Sequence, residues 1–456
     1  LVISVIVLSA LILSGLRGAA LYIESHPEKV EALLERSAGL KTRFNKIDVE
    51  ISPLFPALYL QDVAIINESG TEALLKLDQA KIELNVWRSL IQGQPIIKAF
   101  KLQGISAIFR RDPEGRFFIG DLSLSERQTG KSDELNFSKG FLYFLAQPEI
   151  QITQSEFYIV DQLNEIPTML FNDINIKLQN QHNRHQITAE VTLNNTDTRV
   201  DFRLDFSGKM QQIKKWDGSI FAQVEYLRDE TFLHLLGEDV LQVENFKVTD
   251  FNLNTQVWAH ISQGSLHNIR GDLRLRDTSL FREDEDDVLL IDELSTHIKI
   301  ERGLSNEQEP AQSDDWNFDL NNILCEIGAR ELSLSRINIQ YSAANECTEC
   351  GVTPAAEPAK PQLLIYIDSL DFSKTAPFVH FFSPVEFHEQ LYRVIKPRGQ
   401  MKDSYAVLSL ESLDMPINIV DYQLQTSLHQ IGLNAINKIP EIRNFSADVQ
   451  INPQSG

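Results

Sequence analysis

The chain has 456 residues, of which 43% are hydrophobic, and its 64 Asp and Glu against 42 Lys and Arg give a net charge of -22. That hydrophobic share is ordinary for folded protein and excludes wholesale disorder, while the length allows roughly three domains of ~150 residues or one elongated assembly. The acidic excess opposes the attraction to phosphate backbones that nucleic-acid binding needs, so nucleic acid is excluded as a partner.

Leu1 to Leu16 (LVISVIVLSALILSGL) carries no charge. At ~1.5 Å per residue it covers most of a ~30 Å hydrocarbon core, and residues 1–23 are expected to form a transmembrane anchor. The chain begins at Leu1 without Met, so a start and a basic cytoplasmic flank are expected upstream. The alternative is a signal-peptide core, with Gly18, Ala19 and Ala20 as small residues near a cleavage site. Either places everything after about Arg17 outside the cytoplasm, and no other stretch approaches a membrane span. Next, Val30, Leu33, Leu34 and Ser37 share one side of a helix that starts near Pro27 and ends at Gly39, expected to cap the first strands.

From Lys46 the period changes to two, the spacing at which side chains of a strand share a face. Ile47, Val49 and Ile51 alternate, followed by Leu58, Leu60 and Val63, by Ile82, Leu84 and Val86, and by Leu102, Ile105 and Ile108. This first stretch, 24–122, is set off by a polar loop at 123–136 from a second region, 137–456, with loops near 302–318 and 344–361. In the second region Ile150, Ile152, Phe157 and Ile159 form one strand and Ile174, Ile176 and Leu178 another. Residues 187–206 (ITAEVTLNNTDTRVDFRLDF) then spell a β-hairpin: Ile187, Ala189, Val191 and Leu193 alternate with polar residues, and Val200, Phe202, Leu204 and Phe206 answer them. Further strands are expected at 251–261, 269–275, 288–300, 332–341, 363–372 and 405–410. Short helices are expected at 137–146, at 230–236 and from Ser383 to Pro397, too few to cover so many strands. Each strand's apolar face must be buried by a second sheet, by helices or by something outside the chain, and periodicity alone favours a closed core without distinguishing it from an open groove.

Several turns and strand ends occur in an order that resembles AsmA-like proteins, in particular the YhdP branch, which is related to TamB-type intermembrane transport proteins. The residues are Gly39 to Ile65, Leu74–Leu77, Ser89–Pro95 around Gly93, Leu102-Gln-Gly104, Arg111–Phe117, Ala146–Ile150, Trp216-Asp-Gly218 and Pro397-Arg-Gly399. The resemblance spans nearly the whole chain, which ends within the strand texture at Gly456 and is expected to be an N-terminal fragment of a longer protein. It implies a mainly β fold, in which an N-terminal transmembrane helix precedes an elongated, twisted antiparallel β-sheet groove with a few short helices. It also implies an inner-membrane protein with its bulk in the periplasm, carrying phospholipid towards the outer membrane. On that footing the groove is preferred to the closed core, with Val191, Leu193, Val200, Phe202, Leu204, Phe206, Ile174, Ile176 and Leu178 as lipid-groove candidates. Phospholipids, the inner membrane through residues 1–23, and outer-membrane or periplasmic envelope proteins are the expected partners. The alternative is an envelope assembly or scaffolding factor that pairs sheet edges with other proteins.

Other chemistry has weaker support. Cys347-Thr-Glu-Cys350 precedes a Pro/Ala-rich loop, and Cys325 stands apart. A zinc site wants a second ligand pair, and a thiol-exchange site wants a strand before and a helix after the motif; neither context is present, so a local Cys347–Cys350 disulfide is expected in an oxidising compartment. The acidic run 283–287 lacks the ligand spacing and glycine of a calcium loop and is expected in a solvated hairpin. His182 and His185 are expected to face water or sit in turns. No metal, cofactor or catalytic constellation is expected, and the chain is read as a non-enzyme.

Overall fold

The computed structural model describes residues 14–15, 17–18, 20–38, 41–52, 54–66, 73–93, 96–120, 122–123, 144–163, 166–193, 196–209, 212, 215–229, 231, 242–243, 246–282, 287–302, 315–342, 361–375, 378–379, 381, 394–410, 419–435 and 440–452. It divides into two compact units, the first comprising Leu1–Tyr226, Glu230–Gly237 and Ser262–Gly264, the second Leu227–Asp229, Glu238–Ile261 and Ser265–Gly456.

Helix α1 (Pro27–Ala38) opens the first unit as expected, with Pro27 at its first position, Glu28 in its first turn and Val30 buried. No helix among the described residues is long and apolar enough to cross a membrane, and residues 1–13, most of the expected anchor, lie outside them. After α1 come β1 (Lys41–Arg43), β2 (Lys46–Glu50), β3 (Ala57–Ile66), β4 (Ala73–Leu84), helix α2 (Val86–Gln92), β5 (Ile97–Gln103), β6 (Ser106–Arg111), β7 (Phe117–Ile119) and β8 (Leu122–Ser123). The long strands β9 (Glu149–Asp161), β10 (Ile166–Gln181), β11 (Arg184–Leu193), β12 (Arg199–Ser207) and β13 (Asp217–Arg228) follow.

The expected all-antiparallel sheet is corrected here: the sheet is mixed. β9 runs parallel to β5 at Phe100↔Ile150 and to β6 at Ser106↔Glu156, while every other pairing of these strands is antiparallel. The strand after the polar loop therefore adds beside strands before it, which is why residues on both sides of 123–136 belong to one compact unit.

Register puts apolar residues opposite apolar residues from strand to strand. One row runs Ile47–Leu60–Ala80–Leu102–Ile152–Ile176–Ala189–Phe202–Ala222, and its neighbour runs Val49–Leu58–Ile82–Phe100–Ile150–Leu178–Ile187–Leu204–Ile220. The intervening row, Asp48–Tyr59–Lys81–Lys101–Gln151–Lys177–Thr188–Arg203–Phe221, points to the other face and is mostly polar.

In the second unit β17 (Ser265–Arg282), β18 (Asp287–Arg302), β19 (Trp316–Ile327), β20 (Arg330–Ser342), β21 (Gln362–Asp371), β22 (Arg398–Leu410), β23 (Ile419–Leu433) and β24 (Ile442–Ile451) pair antiparallel in sequence order. They carry the row Ile269–Ile300–Phe318–Ile339–Ile365–Ala406–Leu424–Ile451. β19 starts at Trp316, so the loop expected to reach 318 ends earlier. Two short strands, β14 (Gln242–Val243) and β15 (Phe246–Val248), and the longer β16 (Asn252–Ser262) precede these. The helices expected at 137–146, 230–236 and 383–397 lie largely outside the described residues.

Nine non-glycine strand residues have positive φ: Asp62, Gln154, Asp173, Tyr226, Asp277, Asn322, Asp403, Gln430 and Asn444. At each the apolar series changes parity, as from Ile150 and Ile152 to Phe157 and Ile159, or from Ile176 and Ile174 to Phe171 and Met169. A left-handed residue turns the chain over by one position, so the next apolar side chain returns to the same side, and Asp and Asn tolerate that conformation better than most. Gly104 takes this role between β5 and β6, with φ +68 and a space that a Cβ would share with the Asp78 carboxylate. The single strand expected through Leu102, Ile105 and Ile108 is thus two strands, and Ile108 is exposed on the outer side. Leu60 and Ala80 on one side of this kink line and Val63, Leu77, Ile105 and Ala107 on the other share one buried cluster. There the apolar face folds onto itself.

Gly218 marks the closest approach of β12 to β13: a Cβ there would collide with the Asp205 carbonyl oxygen and lie 2.8 Å from the Phe206 Cα. Both atoms are backbone and can yield only by parting the strands. Gly218→Ala is therefore expected to lower stability by about 1–3 kcal/mol, read as a lower urea midpoint at unchanged slope. An unmoved midpoint would show that the strands separate there at no cost.

Candidate functional site

The candidate site is the apolar face where it opens, on β10 to β13. The hairpin expected from the sequence forms, and its register, which the sequence left open, pairs Ile187 with Leu204, Ala189 with Phe202 and Val191 with Val200. Its two strands contain no positive-φ residue. β10 contains one, Asp173, and its register against β11 shifts between Asn172 and Asn175. That bulge absorbs the change of parity and leaves β11 and β12 free to alternate without interruption.

The nine candidate residues fall into three grades of burial. Ile174, Leu178, Leu193 and Val200 are buried, Ile176, Val191, Leu204 and Phe206 are half-buried, and Phe202 is 40% exposed. By their alternation all nine share one face with Ile187, Ala189, Ile220, Ala222 and Val224. The three β13 residues escaped the sequence reading, although their own alternation in Ser219-Ile-Phe-Ala-Gln-Val224 carries the signal.

One end of this face is closed by a polar corner. His185 continues the apolar series of β11 and faces Phe206, and it is buried rather than water-facing as expected. Its ring stacks on Trp216 with centroids 4.6 Å apart and planes 10° apart. Its Nδ1 lies 2.7 Å from the Asn180 Oδ1 and its Nε2 lies 3.0 Å from the Gly208 carbonyl oxygen. The Asn180 amide nitrogen in turn donates to the carbonyls of Leu145 and Gln147. A buried imidazole needs such partners; Asn180 and Gly208 supply them, and Trp216 supplies the ring that covers it.

The outer side of the same hairpin is held by charge. Arg184 grips Asp205 with Nε to Oδ1 at 2.8 Å and Nη2 to Oδ2 at 2.5 Å, and Gln186 donates to the same carboxylate at 3.0 Å. The Arg184 hydrogen bond, opposed by burial, brings Asp205 down to about 2.

The other chemical candidates do not assemble. Cys325 is buried on β19 between Leu294 and Leu332, and burial, with Asp292 and Glu326 nearby, raises its thiol to about 11, so it behaves as a small apolar side chain at neutral pH. Cys347 and Cys350 lie outside the described residues, as do 283–286 of the acidic run, which connect the paired Arg282 and Asp287. Among the described residues no group of three or more His, Cys, Asp or Glu is placed to hold a metal ion.

The family model described as YhdP protein matches residues 1–456, both units included. The chain belongs to the YhdP family. No curated protein and no solved structure gives a match. The YhdP resemblance stated from the turns at Gly104, Trp216–Gly218 and Gly399 therefore stands, and two of those turns now have a structural reason, the kink at Gly104 and the corner at Trp216.

Because the folded-state pKa of Asp205 is lowered, its contribution to stability is present above the unfolded value of 3.8 and is lost as pH falls to about 2. The pair is solvent-exposed, so the contribution is small and salt-sensitive. The melting temperature of Asp205→Asn is expected to fall slightly below that of the parent at neutral pH, with the gap closing between pH ~5 and ~2 and shrinking in high salt. A gap that widens on acidification would contradict this.

Proposed function

We propose that this YhdP-family protein is a non-enzymatic, membrane-anchored conduit of the bacterial envelope. It shields phospholipid acyl chains in its apolar β-face as they pass between the inner and outer membranes, with most of the chain in the periplasm. The observation that carries the reading is the pair of unbroken apolar rows across nine strands, half-buried for most of their length and open at Phe202. The YhdP family, with its AsmA-like, transport-type character, supports the same reading.

The energetics require such a surface. Each methylene kept from water is worth about 0.8 kcal/mol, so an acyl chain of ~15 methylenes loses about 12 kcal/mol of burial if it leaves a bilayer uncovered. No single pocket of a few side chains recovers that. Strands lie ~4.8 Å apart, so a chain ~15 Å long laid across the sheet touches about four of them, and the rows continue well beyond. The head group needs no pocket, because the open side leaves it in water.

Photo-crosslinking in cells tests this, with a probe at Val191, Phe202 or Leu204 and controls at Thr192 and Arg203 on the other face, followed by mass spectrometry of attached lipid. Adducts are expected only from the first set. In parallel, Leu204→Glu should cut lipid occupancy severalfold while Arg203→Glu leaves it unchanged. Absence of adducts from both sets, with envelope proteins captured at strand edges instead, would replace the conduit with the assembly-factor reading. The envelope location is tested by fractionation of the same cells.

A further inference from the structure

Helix α2 is built without a core. Asn85 caps its start by accepting from the Arg88 backbone N–H at 3.1 Å, Gly93 ends it in the left-handed conformation at φ 66, and none of its residues is buried. Helices this short are not stable on propensity and ordinarily persist by burying one face. Here the apolar face looks outward, with Trp87 58%, Leu90 60% and Ile91 81% exposed. The turn before β3 lies alongside, since the Val86 N–H donates to the Leu54 carbonyl at 3.2 Å, and it adds the exposed Leu54 and Phe55. Five large apolar side chains thus share one end of β3, β4 and β5.

The charge beside them is set by Arg88, because Lys98 is paired with Glu83 at 3.2 Å. Residues 51–60 and 85–98 contain Arg88 and Lys98 and no acidic residue, within a chain of net charge -22. Lys98 lies over the Phe55 ring at 3.9 Å, and the Arg88 guanidinium makes no ion pair among the described residues. The same corner is tied to the chain's start: the Val49 N–H, just before this turn, donates to the Glu24 carboxylate at 3.2 Å. Glu24 follows the uncharged run Leu1–Leu16 by eight residues, and eight residues of helix rise about 12 Å. Leu21 and Tyr22, between the two, are exposed as well.

From these observations we propose that α2 and the Leu54–Phe55 turn form a bilayer-docking surface, which lays Trp87, Leu90 and Ile91 into the interface of a membrane containing anionic phospholipid, with Arg88 at its phosphates. A tryptophan with aliphatic neighbours and an arginine beside them is a composition that lies at such an interface. Continuity with the apolar N-terminal run decides for a bilayer over a protein partner. The docking does not depend on what the sheet face carries; it fixes which end of β3 to β5 meets the lipid surface.

The test uses the full chain reconstituted into vesicles of phosphatidylethanolamine and phosphatidylglycerol with brominated acyl chains, and reads tryptophan emission. The protein has four tryptophans, so Trp87 contributes about a quarter of the emission. Quenching of about that fraction, absent from Trp87→Phe, is the expected result. Leu90→Glu with Ile91→Glu, both exposed and therefore expected to leave circular dichroism unchanged, should abolish it while lipid adducts at Phe202 persist. Equal quenching of the parent and Trp87→Phe overturns the proposal, as does Trp87 quenching that survives the double substitution. Neither outcome bears on the lipid-conduit reading, which the adducts at Phe202 test separately.

Discussion

Everything in the first unit depends on register: an apolar residue must find an apolar partner on each neighbouring strand, because a slip of one position would put the whole row in water. The rows through Leu60 and Leu58 meet this condition across nine strands, parallel and antiparallel alike. What makes it possible over long strands is the positive-φ residue. A strand such as β9, read with strict alternation, would expose Phe157 and Ile159 on the wrong face, and Gln154 restores them. The cost of left-handed backbone at Asp, Asn or Gln is of order 1 kcal/mol, against 1.5–3 kcal/mol for each large apolar side chain returned to cover.

Legibility follows from the same cause. The β11–β12 hairpin was legible as two strands with one apolar face because neither strand contains such a position, while its pairing register comes from the structure. β9 and β10 were readable as strands but not as faces, since a period-two pattern changes parity without announcing where. The parallel pairing of β9 with β5 and β6 left no mark, because Phe100 and Ile150 satisfy either direction equally. α2 was missed for another reason: Trp87, Leu90 and Ile91 have helical spacing, but over seven residues, and Val86 was read as the end of the preceding strand. His185 was misplaced because a histidine was assigned to the polar side by type, whereas its position in the series of Ile187, Ala189 and Val191 puts it on the apolar one.

The outer face shows how an acidic chain carries ordered charge beside an apolar floor. Glu83 is buried on β4, and burial alone would raise its pKa, but hydrogen bonds from Lys101 at 2.7 Å and Lys98 at 3.2 Å outweigh it and leave the carboxylate below its usual range. Asp319 is likewise buried between Arg336 and Asn338, with hydrogen bonds of 2.7 and 2.9 Å. Buried acids paired in this way keep the outer face committed to water, and that commitment prevents the sheet from offering two apolar sides.

Two kinds of apolar surface therefore coexist, and their geometry separates their uses. The sheet face is long and broken only by bulges, and its residues are graded from buried Leu178 to exposed Phe202, so a flexible chain lying on it gains cover at every strand without a fixed pose. The α2 surface is compact and convex, with a tryptophan, two aliphatic side chains and an arginine on one turn and a half of helix. On the function and docking proposed above, acyl chains would lie on the first surface and a bilayer against the second, and the two uses would not compete for the same residues.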